Sequence, residues 1–281
     1  MKATTVRRLT PQMRQALVIA LVILSVLGVD LAVFPAETDR FFSWPIQPLL
    51  TASTLAASYL TAVVVLLLAM RGRVWAPVKV VLPGGVIFSG LATLATFAHF
   101  GKFNFGSDVL SARIVAWIWL VAYLILPPLL VLFWPGQLRA PGSDPQAKRP
   151  ADWLRLSVLA IGGALVVCGM ILFAAPQAVL DGWAWPLTPL TARVLSAWFT
   201  GLGLVYGYAA WTNDRMRLRA PVTGLLAFGL LQGLALLRHG GDAGGAALAG
   251  WIVFLALCTG VGGVGLKSVW AEDPARLEAS G

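Results

Sequence analysis

The two histidines of this chain, His99 and His239, are the residues whose type and position point most directly to chemistry. Each ends a long apolar stretch, and neutral imidazole is a common ligand of metals and haem. A haem or metal held by both rings is therefore one hypothesis, although no carboxylate-rich metal spacing or haem-attachment motif accompanies them. Hydrogen bonding by both rings at the membrane interface is the other interpretation. No cofactor is predicted from the sequence, and haem or a metal is left as an alternative.

Polar residues gather around each histidine at helical spacing. Ser89, Thr93 and Thr96 share a predicted helix face with His99, and Gln232 stands seven residues before His239. Asp30 is the one carboxylate inside a predicted membrane span, where an acid is costly and its partner should be sought. The partners expected for Asp30 are His99, Lys102 and Arg113. The complete predicted substrate-binding set is Asp30, Thr93, Thr96, His99, Lys102, Arg113, Gln232 and His239.

Other chemical motifs are missing or out of context. The sequence has no G-x-S-x-G, no H-E-x-x-H and no C-x-x-C, so whether it is an enzyme is left undecided, with a non-enzyme favoured. Cys168 and Cys258 lie in apolar stretches and are expected to be reduced packing residues. The glycines at 260, 262 and 265 match a dinucleotide fingerprint, but they lack the strand that such a site requires.

The composition requires an apolar solvent around the helices that hold these residues. The chain has 58% hydrophobic and 12% charged residues and a mean hydropathy of +0.81, whereas about a quarter of an ordinary soluble domain is charged. Eight apolar stretches approach the ~20 residues that cross a bilayer. The sequence thus predicts an all-α, polytopic membrane protein with spans near 15–34, 49–70, 78–98, 114–134, 156–175, 190–211, 221–238 and 247–269.

The net charge of +9 is unevenly distributed between alternate connections. One side has 16 of the basic residues and the other has five. Because cytoplasmic loops are enriched in Lys and Arg, both termini are expected in the cytoplasm. This asymmetry explains the basic charge without nucleic acid, and no nucleic-acid partner is predicted.

The two halves of the sequence match each other at a nearly constant offset, which indicates an internal duplication. The two histidines are 140 residues apart, and Asp108 and Trp117 match Asp242 and Trp251 at an offset of 134. Pairs at an offset of 141 are Arg14 with Arg155, Pro35 with Pro176, Trp44 with Trp185, Pro45 with Pro186 and Pro48 with Pro189.

Each predicted copy has four spans, an even number, so both copies enter the membrane from the same side. The repeats are therefore expected to be parallel, around a pseudo-two-fold axis along the membrane normal. Pro127-Pro128 and the glycines from Gly260 to Gly265 are predicted weak points in the last span of each copy. The predicted divisions are a first repeat at 1–135, a cytoplasmic linker at 136–153, a second repeat at 154–271 and a cytoplasmic tail at 272–281.

A resemblance adds to this interpretation. The block Trp44-Pro45-Ile46-Gln47-Pro48-Leu49-Leu50-Thr51-Ala52, the later His99-Phe100-Gly101-Lys102-Phe103 and then Ala112-Arg113 with Ala116-Trp117-Ile118-Trp119 resemble an uncharacterised group of bacterial multi-spanning membrane proteins. The resemblance implies the bacterial cytoplasmic (inner) membrane and carries no activity. The two Trp-Pro-x-x-Pro blocks are expected to start spans two and six, with their tryptophans at the headgroup level.

Three functions are consistent with these patterns. The first is a transporter or permease-like bundle for a small polar or anionic solute bound between the two halves. The second is a redox protein that uses the two histidines for haem or metal. The third is a non-catalytic subunit or scaffold that packs through glycine pairs such as Gly203/Gly207 and Gly229/Gly233. The lipid bilayer is the one firm partner, and a homo-oligomer or a partner subunit is left open.

Overall fold

A computed structural model describes residues 5–270 of the chain. The protein is all-helical, with 80% helix and no strand in that range. The predicted tail at 272–281 lies outside the described residues. The helices are α1 (Pro11–Val33), α2 (Thr38–Phe41), α3 (Leu49–Met70), α4 (Trp75–Ala98), α5 (Leu110–Arg139), α6 (Asp152–Ala174), α7 (Gln177–Leu180), α8 (Pro189–Trp211), α9 (Arg215–His239) and α10 (Gly245–Trp270).

Seven of these helices are long and apolar enough to cross a membrane, namely α1, α3, α4, α5, α6, α9 and α10. The predicted span at 190–211 corresponds to α8, which has 23 residues but is not among the seven. Most of α8 is buried against other helices, including Thr200, Gly203 and Tyr206. A helix enclosed by protein needs little lipid-facing apolar surface, so its hydropathy can be lower.

The long helices run between two ends of the bundle, which we call the near end and the far end. The near end holds the N-terminal segment, where Val6 pairs with Ser143 of the α5–α6 connection and Arg8 pairs with Val74 of the α3–α4 connection. At the far end, the Gly244 N–H donates to the Ala184 carbonyl. Helices α3, α4, α8 and α9 form the centre, with α3 packed on α9 and α4 on α8, while α1, α5, α6 and α10 flank them.

The helices continue through the predicted weak points. Pro127 and Pro128 lie within the unbroken α5, and Gly260 to Gly265 lie within the unbroken α10. Proline removes a backbone donor, but a helix persists where another group satisfies the freed carbonyl. These positions are therefore not breaks in the helices.

The two Trp-Pro-x-x-Pro blocks precede the central helices, as predicted: Pro48 is the N-cap of α3, and Pro189 is the first residue of α8. Their tryptophan rings pack inside the protein, since Trp44 and Trp185 are 1% and 2% exposed. The Trp185 indole N–H donates to Thr51 Oγ1 at 3.1 Å. The two rings are core residues that hold the far-end loops against the bundle.

Candidate functional site

The polar stripe of α4 faces α5 and is satisfied within the protein. Ser89 Oγ donates to the Gly85 carbonyl and Thr96 Oγ1 to the Ala92 carbonyl, both at 2.8 Å. The Trp119 indole N–H of α5 in turn donates to Thr96 Oγ1 at 3.0 Å. Buried hydroxyls that bond back to their own helix and to a neighbouring helix stabilise packing. Thr96 is thus committed to the contact between α4 and α5.

Thr93 has a role that follows from the proline pair of α5. Pro127 has no N–H to donate to the carbonyl of Tyr123, four residues earlier. Thr93 Oγ1 lies 2.9 Å from that carbonyl oxygen and 2.9 Å from the Ser89 carbonyl oxygen. The hydroxyl can therefore donate to the carbonyl that Pro127 leaves without its helix bond.

His99 binds an arginine that the sequence did not assign to the site. Arg193 Nη1 lies 2.7 Å from His99 Nε2. A guanidinium has only donors, so Nε2 accepts this bond as neutral imidazole. Partial burial, followed by the charges of Arg193 and Lys102, lowers the pKa of His99 below its usual value of 6.5. The sequence signal that could have identified Arg193 is a basic residue near the start of an apolar span.

We expect acidification to weaken this contact between α4 and α8. As the pH falls through about 6.5, unfolded His99 takes up a proton that folded His99 resists, so the unfolded state is favoured. The midpoint of thermal unfolding should therefore fall more steeply from about pH 7.5 to about pH 5.5 in the wild-type protein than in His99→Gln. The glutamine oxygen accepts from Arg193 without titrating. Equal slopes for the two proteins would contradict this assignment.

The expected partners of Asp30 do not reach it. Within residues 5–270, no lysine, arginine or histidine nitrogen lies within 4.0 Å of its carboxylate. Lys102 and Arg113 are exposed at the far end. The structure therefore does not assemble Asp30, His99, Lys102 and Arg113 into one charged group.

Gln232 and His239 lie on α9 and face other neighbours. Gln232 is 1% exposed, and its Nε2 donates to the Thr54 carbonyl and to Ser58 Oγ of α3, both at 3.1 Å. His239 is partly buried, and its Nε2 has no hydrogen-bond partner among the described residues. His99, by contrast, is bonded to Arg193 of α8. No group of three or more His, Cys, Asp and Glu side chains suited to a metal occurs in residues 5–270.

A central cavity of about 100 Å³ lies between α1, α3, α4, α5 and α8. Its lining is almost wholly apolar, and its polar groups are the hydroxyls of Ser89 and Tyr123 and the indole N–H of Trp198, which has no partner among the described residues. Phe88 and Trp198 stack beside it, with ring centroids 3.8 Å apart. Apolar cavities of about this size stay dry and accept small apolar groups. The cavity thus has the chemistry of a lipophilic site.

Two buried tyrosines provide a hydrogen-bond donor at this cavity. The hydroxyl oxygens of Tyr59 and Tyr123 lie 2.9 Å apart, and either can donate. One proton makes that bond, and the other has no acceptor within residues 5–270. An unpaired hydroxyl in an apolar interior is costly. A guest with an oxygen acceptor would remove this cost.

Comparisons with known protein families, with curated proteins and with solved structures found no match. The class of the protein therefore rests on its own helices. Several long apolar helices, compatible with an integral membrane protein, indicate a multi-pass membrane protein.

Proposed function

We propose that the chain crosses the membrane eight times as two parallel four-helix units, with α8 as an enclosed eighth span. Equivalent helices would be α1 with α6, α3 with α8, α4 with α9 and α5 with α10. The packing supports this scheme, because α1 packs on α3 as α6 packs on α8. Likewise, α4 contacts α8 as α9 contacts α3. A two-fold relation between the units accounts for both pairs of contacts.

Close contacts at matched positions support the same scheme. A Cβ built on Gly84 would meet Val205 Cγ2, and one built on Gly224 would meet Val65 Cγ2. Both pairs are related by the 140-residue offset of the histidines, since 224 − 84 = 140 and 205 − 65 = 140. Small residues thus permit the same close approach on both sides of the centre.

The orientation is proposed from charge. Of the 16 basic residues on the richer side, those within residues 5–270 lie at the near end, and the five of the other side lie at the far end. By the positive-inside rule, the near end and both termini would be cytoplasmic in a bacterial inner membrane. The far end would then face outward.

For its activity, the protein would be a permease-like bundle that binds and moves a lipophilic molecule with an oxygen acceptor. The observation that carries this proposal is the apolar central cavity beside the Tyr59–Tyr123 pair. The sequence favoured a small polar or anionic solute. The three cavities of the described part that we compared are lined mainly by apolar side chains, which favours a lipophilic guest instead.

Filling the cavity tests this function. Gly85 lines the cavity, and a Cβ there meets nothing within 4 Å, so Gly85→Leu should occupy the space without a clash. Gly90→Leu is the matched control, because Gly90 of α4 also has open space. Farnesol and a decyl-substituted benzoquinone are the lipophilic probes, and phosphate and glutamate are the polar ones. A lipophilic probe should raise the thermal midpoint of the wild-type protein and the Gly90→Leu control, with this gain lost in Gly85→Leu.

Transport is measured separately in proteoliposomes that contain a fluorescent long-chain lipid. If the protein moves such molecules, dithionite should quench more of the fluorescence than the outer-leaflet fraction, and Gly85→Leu should abolish the excess. Stabilisation by phosphate or glutamate that is lost in Arg193→Ala would instead support the polar solute. Equal responses of wild-type protein and Gly85→Leu to both lipophilic probes would remove this proposal.

The other two hypotheses stay predictions. Haem or metal ligation through His99 Nε2 would first require its bond to Arg193 to break. For a scaffold role, Gly203 and Gly229 are already used inside the chain, because a Cβ on them would contact Gly162 and Thr259. These two glycines are therefore not available for packing against a partner protein.

A further inference from the structure

A second cavity, of about 210 Å³, lies at the far end between α6, α8, α10 and the loop that precedes α8. We call it the aromatic pocket. Leu165, Cys168 and small residues complete its wall, and no charged side chain within residues 5–270 lines it. It shares no lining residue with the central cavity. Its rings are those of Trp183, Trp185, Phe199, Trp251 and Phe254.

The space has a specific origin in the sequence. His99 and Asp108 are nine residues apart (108 − 99), whereas the matching His239 and Asp242 are three apart (242 − 239). The connection between α9 and α10 is thus six residues shorter than its counterpart between α4 and α5. The longer connection contains Phe103, and the shorter one has no aromatic residue.

Phe103 fills the equivalent place in the first half. It is 7% exposed, and its ring centroid lies 5.1 Å from that of Trp44 and 6.3 Å from that of Trp119. Trp185, which matches Trp44, lines the aromatic pocket, and its only ring neighbours among the described residues are Trp183 and Trp251, at 5.5 Å and 6.0 Å. The second half therefore lacks a ring that the first half supplies from its own chain.

The pocket also has donors without acceptors. The Trp185 N–H is satisfied by Thr51, but the indole N–H groups of Trp183 and Trp251 have no acceptor within residues 5–270. Indole nitrogen can only donate. A guest that satisfies either ring must therefore bring an acceptor, such as a carbonyl oxygen.

The surroundings indicate that such a guest would arrive from lipid. Helices α6 and α10 touch each other little. Val167 of α6 and Val253 of α10 are both 59% exposed, and Leu257 is 54% exposed. These apolar side chains face outward on both sides of the gap, as expected for a lipid-facing surface.

We propose that the aromatic pocket binds an uncharged lipophilic group with a carbonyl oxygen, whose apolar body takes the place that Phe103 occupies in the first half. An ester-linked acyl chain and a quinone-type ring share this chemistry. The site goes beyond the proposed function, since none of its residues belongs to the central cavity.

The test uses the full-length protein in detergent and intrinsic tryptophan fluorescence. The two probes are a phosphatidylglycerol with dibrominated chains and a decyl-substituted benzoquinone, both of which quench tryptophan on contact. Gly250 lines the pocket, and a Cβ there meets nothing within 4 Å, so Gly250→Phe supplies the missing ring. Gly260→Phe is the matched control, because Gly260 of α10 also has open space and does not line the pocket.

The measurements are made in a Gly85→Leu background, so that no probe bound beside Trp198 in the central cavity contributes to the quenching. Quenching by at least one probe should saturate in this background and when Gly260→Phe is added to it, and this saturable part should be lost when Gly250→Phe is added instead. Saturation by the brominated lipid identifies the acyl chain, and saturation by the benzoquinone alone identifies the ring. Trp251→Phe keeps a ring but loses the N–H, and should weaken binding about fivefold, as expected for one neutral hydrogen bond.

Ala247→Leu fills the same pocket with a smaller change and guards against misfolding of Gly250→Phe. Saturable quenching that persists when a folded Gly250→Phe or Ala247→Leu is added to the Gly85→Leu background would overturn the inference, as would its absence from Gly85→Leu itself. A failure of the central cavity is thus distinguishable from a failure of the aromatic pocket.

Discussion

Gly84→Ala should destabilise the protein by about 2–3 kcal/mol, the largest effect that we expect from a single methyl group. A Cβ on Gly84 would meet the Gly201 carbonyl oxygen and Val205 Cγ2, so α4 and α8 would have to separate. A backbone oxygen cannot rotate away as the end of a flexible side chain can. The central contact between the two halves of the chain depends on this approach.

The measurement is the midpoint of unfolding in mixed micelles of increasing dodecyl sulfate content. Gly90→Ala is the matched control, since Gly90 lies on the same helix and its Cβ would meet nothing within 4 Å. Both changes gain the same helix propensity, so their difference isolates the packing cost. Gly201→Ala should resemble Gly84→Ala, because its Cβ would lie 2.7 Å from Phe88 Cβ. Equal midpoints for Gly84→Ala and Gly90→Ala would contradict the close approach.

Asp214→Ala should cost about 2–4 kcal/mol, because one buried carboxylate has three backbone donors. Asp214 is 3% exposed and is the N-cap of α9. Its Oδ1 accepts from the N–H groups of Met216 and Arg217 at 2.9 Å and 3.1 Å. Its Oδ2 accepts from the Ala147 N–H at 2.8 Å. The substitution leaves these N–H groups unpaired and frees the linker from α9.

Asp152→Ala is the control, since Asp152 is an exposed acid in the first turn of α6. An exposed charge there interacts with the helix dipole and should contribute no more than about 1 kcal/mol. Dodecyl sulfate unfolding measures the cost, and limited proteolysis detects release of the linker, whose part outside α5 and α6 is 140–151. Asp214→Asn keeps one acceptor oxygen and should be intermediate. Equal unfolding midpoints for Asp214→Ala and Asp152→Ala, together with a linker that resists protease, would contradict the role of Asp214 in holding the linker to α9.

Sequence patterns predicted the long helices because each membrane span must satisfy its own backbone hydrogen bonds, which leaves a run of ~20 apolar residues as a visible sign. The predicted stretch at 114–134 lies within α5, and the stretch at 190–211 coincides with most of α8. The hydropathy criterion that identifies the other seven helices as candidate spans does not include α8. Most of α8 is buried by protein and little of it faces outward, so it needs fewer apolar residues. The short helices α2 and α7 carry no such sign and were not predicted.

The candidate site was less predictable than the helices that carry it. Periodicity placed Thr93, Thr96 and His99 on one face of α4, but it could not say which helix that face meets. Only the tertiary structure brought Arg193 to His99 and the Tyr123 carbonyl to Thr93. It also left Asp30 without the cations that the sequence offered as its partners.

The two histidines, taken from the sequence as a pair, each lie at the end of a long helix, but only the ring of His99 has a hydrogen-bond partner among the described residues. Local hydrogen bonding and hydropathy act along the chain, so the sequence by itself determined where the long helices run. Helix rotation, close approach at glycine and the shorter connection after α9 act between segments distant in sequence. The tertiary structure alone therefore decided which side chains meet and where two apolar cavities lie.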